Sequence, residues 1–223
     1  MLDAVVVAQE FVGSAGSADP IDFVHDRRFG VASAGLGFRY GRSLDHSAGA
    51  LPWSGYDLQF GAFARALWGK RVGWAFGLGF SAGGIVPQGV DFRFDFLPAG
   101  FGVALPRMGF VSVMGGIRPV LSSYDPYGLF LFPVELRAEI DFCRCARLIV
   151  AAELDFSTVG RGTIPGTDGF SALIALRYRG GRSTSGERSG SIARGRFVGV
   201  QMWEVRGVPY LGFVLGVEAG FGG

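Results

Sequence analysis

Lysine is almost missing from this chain. Lys70 is the single instance, and the remaining positive side chains are arginines. Soluble surfaces ordinarily carry many lysines, so the scarcity argues against an exterior bathed in water. Charged residues make up only 18% of the chain, where about a quarter is usual. The formal net charge of +2 is too small to imply a nucleic-acid partner. Also missing is any uninterrupted apolar run of about 18 residues, which excludes a transmembrane helix. Cysteine is confined to Cys143 and Cys145, and histidine to His25 and His46. Two cysteines in one turn read as incidental turn residues, with a local disulfide as the alternative. Neither histidine is near them in sequence, so no metal site and no cofactor are expected.

What the chain has instead is alternation. From Leu129 to Ser157, the even positions Phe130, Phe132, Val134, Leu136, Ala138, Ile140 and Phe142 are apolar, while Glu135, Arg137, Glu139 and Asp141 are charged. After Cys143-Arg144-Cys145-Ala146 the same parity returns, with Leu148, Val150, Ala152, Leu154 and Phe156 against Arg147, Glu153 and Asp155. Side chains alternate across a strand with period two, so this is a β-hairpin with one greasy face and one charged face. The same pattern recurs from Val31 to Tyr40, 57 to 69, 72 to 81, 90 to 97, 170 to 179 and 208 to 221, with poorer alternation at 107–118 and 196–206. Pro98-Ala99-Gly100 reverses the parity and reads as a bulge or turn, and Pro133 belongs at a rim or bulge because it lacks a ladder donor.

This gives about ten strands (8–12 bounds the count) of about 9–13 residues, near the length a tilted strand needs to cross a bilayer. Long connections fall near 42–56, 82–89, 119–128 and 157–168, and short ones near 69–71 and 143–146. The Gly- and Ser-rich stretch 180–195 breaks that alternation of long and short. The expected fold is all-β: a closed antiparallel transmembrane β-barrel over 31–223, preceded by an N-terminal segment, 1–30, that lies in the periplasm or inserts into the lumen.

Mean hydropathy is positive, +0.33, although no long apolar run exists. A membrane barrel has this property because its apolar residues are spread over alternate positions. The charged face is diluted by small residues, as in Gly73, Ala75, Gly77, Gly79 and Ser81, which leave room for Arg and Glu reaching across a narrow lumen. The charges expected to face the lumen are Arg39, Asp57, Arg65, Asp91, Arg93, Asp95, Glu135, Arg137, Glu139, Asp141, Glu153, Asp155 and Arg177. Their signs are mixed, so they neutralise one another. Aromatics near strand ends, Tyr40, Trp68, Trp74, Tyr178, Trp203 and Tyr210, with Trp53 and Tyr56, read as girdles at the membrane interfaces.

The closing segment Tyr210-Leu-Gly-Phe-Val-Leu-Gly-Val-Glu-Ala-Gly-Phe221 looks like the terminal assembly signal of outer-membrane barrels, although Gly222-Gly223 follow the aromatic. With the strand pattern, the chain resembles the small outer-membrane β-barrels of Gram-negative bacteria over residues 31 to 221. The resemblance is architectural and implies a place in the outer membrane. It also implies the lipid bilayer as partner, with lipopolysaccharide or other envelope proteins as further partner classes. Met1–Ala8 has no basic region and too short an apolar core to be an export signal. A mature form with an added Met, or an upstream start, is then expected.

The expected function is non-enzymatic: a narrow pore or a structural or surface-interaction barrel. Two alternatives stand beside it. One is an outer-membrane enzyme hydrolysing lipid or peptide, with His46-Ser47 or the pairs Asp91/Asp95 and Glu139/Asp141 as its chemistry. The other is a soluble lipid-binding barrel with the faces reversed.

Overall fold

The computed structural model describes residues 29–44, 55–69, 71–86, 89–105, 109–123, 125–143, 146–158, 160, 162–179, 192–205 and 207–222. They form β1 (Phe29–Ser43), β2 (Tyr56–Gly69), β3 (Val72–Val86), β4 (Gly89–Leu105), β5 (Gly109–Ser122), β6 (Asp125–Cys143), β7 (Ala146–Phe156), β8 (Thr167–Arg179), β9 (Ile192–Val205) and β10 (Val208–Gly222). Each strand pairs antiparallel with its neighbour in sequence. Then β1 pairs with β10, from Val31↔Gly222 to Ser43↔Tyr210, and closes the sheet. The expected ten-stranded closed barrel is the fold. Closure leaves no unpaired edge, so the backbone polar groups of the wall are satisfied within the sheet.

Because the strand number is even, β1 starts and β10 ends at one rim, here called lower, where β2 and β3, β4 and β5, β6 and β7, and β8 and β9 also have adjoining ends. The upper rim holds the adjoining ends of β1 and β2, β3 and β4, β5 and β6, β7 and β8, and β9 and β10. At 206–207, Gly207 has φ +85°, the left-handed conformation that a two-residue hairpin link favours.

The long connections expected near 82–89 and 119–128 are mostly strand, so the alternation of long and short links does not hold. Glycines that signalled a loop are places of close backbone approach. A Cβ on Gly83 would lie 2.0 Å from the Leu58 carbonyl oxygen, and one on Gly84 1.9 Å from that of Gly89. The segment 98–100 continues β4. Register shifts occur between Phe96 and Ala99 against β5 and between Trp74 and Gly77 on the β3 side. This irregularity lets the parity change, so that Phe92, Phe94 and Phe96, then Phe101 and Val103, all stay on the outside. Pro133 is not at a rim. It lies inside β6, fully buried, where the β5–β6 pairing lapses between Gly115↔Val134 and Arg118↔Leu131. The N-terminal segment through residue 28, Trp53 and the histidines lie outside the described residues.

The faces are sorted as in no ordinary soluble protein. Leu36, Phe60, Trp74, Phe130, Ile174 and Val200 are more than half exposed, and every strand contributes to this outer apolar surface. Contiguous apolar patches of this extent are foreign to water-facing monomers. The inside holds the charged parity, but it is not polar throughout. Leu67, Ala75, Leu97, Ala104, Phe110 and Met114 fill the lower lumen along β2 to β5. The small inward residues make room for aromatic rings as much as for charges. A Cβ on Gly216 would meet Phe197 at 2.1 Å, and one on Gly41 would meet Trp203 at 2.0 Å.

Leu136 lies on the outer face of β6, half exposed. With that face against hydrocarbon, Leu136→Arg is expected to cost about 2–4 kcal/mol of folding free energy in lipid vesicles. Urea titration of folding in vesicles measures it, and a cost near zero would contradict the assignment of faces.

Candidate functional site

The inward charges form three connected groups down the lumen. Near the upper rim, the Arg39 Nη2 donates to Asp57 Oδ2 at 2.8 Å, and the Trp203 Nε1–H donates to the same oxygen at 2.8 Å. The Arg39 guanidinium also lies 4.3 Å from the Trp203 ring centroid, a cation–π contact. Beside them, Asp91 accepts from Arg93 at 2.6 Å and from the Gln59 amide at 3.2 Å. In the middle, Arg118 is a hub. It donates to Asp95, to both oxygens of Glu153 at 2.9 and 2.8 Å, and to Asp155 at 2.7 Å. Arg65 reaches Glu135 at 2.6 Å. Lower still, the hub has the opposite sign. Glu139 accepts from Arg137 and Arg147, both at 2.8 Å, and from Arg177 at 3.2 Å. Arg147 also binds Asp141 at 2.7 and 3.0 Å, and Arg177 binds Glu218 at 2.6 Å.

All thirteen lumen charges named from the sequence enter this network, each beside an opposite charge. Sequence reasoning missed its centre. Arg118 stands on the inward parity of β5, whose other inward residues include Phe110, Met114 and Val120, all buried. Apolar side chains on both faces hide the alternation there. Arg147 and Glu218 already sit on the charged parity of their strands and were legible on that ground. Glu204 was missed as well. Buried at the upper rim, it accepts from the backbone N–H of Thr163 at 2.8 Å and from the Thr163 hydroxyl, and so ties the 157–166 link to β9.

Four of the predicted girdle aromatics lie on the outer face near the rims: Trp68, Trp74 and Tyr178 exposed, and Tyr40 half-buried, stacked on Tyr56 with centroids 5.9 Å apart. Trp203 and Tyr210 are corrections. Both are buried in the lumen, stacked at 5.7 Å with their planes 12° apart. An indole that finds a carboxylate for its N–H and a glycine opposite its ring is satisfied inside, so proximity to a strand end does not make it a girdle residue. This reverses the mixed parity read at 196–206: Val198, Val200 and Met202 face out, and Phe197, Gly199, Gln201 and Trp203 face in.

The carboxylate pairs suspected of acid–base chemistry are engaged otherwise. Asp91 is held by Arg93 and Gln59, Asp95 by Arg118, Glu139 by three arginines and Asp141 by Arg147. His46-Ser47 and Cys145 lie outside the described residues. No cluster of three or more metal-ligating side chains occurs among the described residues.

A cavity of about 260 Å³ occupies the upper and middle lumen, lined by Arg39, Gln59, Arg65, Arg93, Arg118, Glu135, Arg137, Glu153, Phe197 and Trp203 among others. A second, of about 20 Å³, lies below it among Leu67, Phe110, Met114, Glu139 and Arg177, with space for about one water. Arg65 and Arg137 line both, so they and their carboxylates form the partition between the two.

Arg118→Ala would strand three carboxylates around an empty centre and is expected to cost about 3–5 kcal/mol. Adding Glu153→Gln and Asp155→Asn removes the repulsion and is expected to recover more than half of that loss. Urea unfolding of the purified variants in micelles checks both values.

Neither protein-family models, nor curated proteins, nor solved structures contain a match to this chain, so its functional reading rests on the barrel and its lumen.

Proposed function

We propose that this chain is a non-enzymatic outer-membrane β-barrel of a Gram-negative envelope, with a lumen built as an ion-paired scaffold closed to free conduction. The observation that carries the membrane reading is the inversion of faces. Large apolar side chains stand exposed all round the wall, while Asp57, Glu135, Glu139, Arg147 and Arg177 are buried within it. In water this arrangement leaves extensive apolar surface exposed, whereas in a bilayer the same surface meets hydrocarbon. A closed barrel of this kind has the bilayer as its partner. Its exposed rims are where lipopolysaccharide or other envelope proteins would be met.

The partition formed by Arg65, Glu135, Arg137 and Glu139, with the apolar cluster beside it, supports a scaffold over an open channel. The cavity above it favours the second reading, a narrow pore gated at that layer. Enzymatic readings find less support, because the carboxylates of the suspected pairs, Asp91, Asp95, Glu139 and Asp141, are each held by an arginine.

Gel mobility of detergent-folded protein, boiled against unboiled, is expected to shift, because a closed barrel resists unfolding until heated. No shift, together with good solubility in plain buffer, would favour the soluble lipid-binding barrel instead. In planar bilayers the unaltered protein is expected to show no defined conductance steps. Arg65→Ser combined with Glu135→Ser, which thins the partition without leaving an unpaired charge, is expected to introduce them. Defined steps from the unaltered protein would overturn the closed-scaffold reading in favour of the pore.

A further inference from the structure

On the panel of wall made by β10, β1 and β2, the outward positions are apolar or aromatic with one exception. Arg42, next to the upper end of β1, is the only charged residue on that face among the described residues. It is exposed, and its guanidinium carbon lies 5.8 Å from the centroid of the Tyr56 ring. Inside the barrel, Arg39, Arg65 and Arg118 each have a carboxylate. Arg42 has none among the described residues, so it is held by a cation–π contact and its planar fork of N–H donors is unspent.

What lies below it is ordered. Arg42, Tyr40 and Phe38 are successive outward positions on β1, stepping away from the rim. Tyr40 stacks on Tyr56 with the planes 15° apart, and its ring centroid is 5.4 Å from that of Phe213. Phe38 lies 6.3 Å from Phe213 and 4.8 Å from Phe60. These rings form one unbroken strip on the outer wall, with a guanidinium at the rim, phenols next and phenyls beneath. A lipid has the same order of polarity from headgroup to chain. An arginine on the lipid side of a barrel is cheap only near the interface, where its head reaches the level of the headgroups.

We propose that Arg42 and the strip beneath it bind a single anionic lipid whose charge is a phosphate. The site rests on the membrane reading given above. Charge complementarity selects an anion, and the guanidinium fork fits two phosphate oxygens at once. Tyr40 and Tyr56 stand where the chain gives way to the headgroup, and Phe38, Phe60 and Phe213 lie along the chain. Dissolved phosphate would use the fork and leave the strip idle, whereas a lipid uses both.

The test is titration of the full chain, folded in detergent, with phosphatidic acid, the bound lipid being counted by native mass spectrometry. One phosphatidic acid per chain is expected to bind about tenfold more tightly than phosphatidylcholine, whose phosphate is neutralised by its own ammonium. Arg42→Gln, a change on the exposed surface, is expected to abolish that preference. Arg71→Gln, which removes an exposed guanidinium near the lower rim, is expected to leave it unchanged. Flotation with phosphatidylcholine vesicles separates this site from the reading it rests on. The unaltered protein and Arg42→Gln are both expected to float, and failure of both would overturn the membrane reading and the site with it. With both floating, the site alone is overturned if oleate binds as well as phosphatidic acid, or if millimolar inorganic phosphate displaces the lipid. It is also overturned if Arg42→Gln has no effect, or if Arg71→Gln has the same one.

Discussion

A charge buried inside a narrow barrel wall is tolerable only beside an opposite charge, and that constraint orders most of the lumen. Each strand that turns a charged face inward must place its Arg, Asp or Glu at a height where a neighbour of opposite sign arrives. The result is two hubs of inverse composition. Arg118 gathers Asp95, Glu153 and Asp155, and Glu139 gathers Arg137, Arg147 and Arg177. The partners come from different strands, so the network cross-braces β4, β5, β6, β7 and β8. These strands are otherwise joined mainly edge to edge, with the apolar cluster of the lower lumen between β4 and β5. Removing one member of such a hub leaves the others uncompensated, which makes the network a condition of the fold and not an ornament on it.

The second constraint is space. A ten-stranded barrel has little room, so bulky inward side chains need small ones opposite. Gly41 faces Trp203, Gly35 faces Phe63, Gly216 faces Phe197 and Gly79 faces Asp95. A Cβ at any of these four would come within 3 Å of the side chain or backbone it faces. This complementarity divides the lumen. The lower part fills with an apolar cluster and leaves about 20 Å³, while the upper part keeps about 260 Å³ among its charges.

The architecture was legible wherever one parity was charged and the other apolar. The Leu129–Ser157 hairpin announces β6 and β7, and the thirteen charges read from such alternation all lie in the lumen network. Legibility failed where an apolar residue was turned inward. Phe197 and Trp203 blurred β9, and Phe110, Met114 and Val120 blurred β5, which hid Arg118. Those positions are settled by what stands across the lumen, a glycine or a carboxylate from a distant strand, and local pattern carries no trace of it. Glycine misled in the other direction at 83–84, where it marks close approach of strands and not a loop. Outward-facing aromatics were legible at Tyr40, Trp68, Trp74 and Tyr178 but not at Trp203 or Tyr210, which are turned inward, because distance from a strand end does not encode parity.

The central claim is that the apolar face meets lipid and the charged face meets the lumen. Tryptophan fluorescence in vesicles of brominated-chain lipid tests it directly, in two variants that keep a single indole each, Trp74 or Trp203, with the other tryptophans replaced by Phe. Trp74 is 62% exposed on the outer wall and Trp203 is 2% exposed inside it. The account predicts strong quenching of Trp74 by the bromines and little quenching of Trp203. Equal quenching of both, or quenching of Trp203 with Trp74 spared, would contradict it.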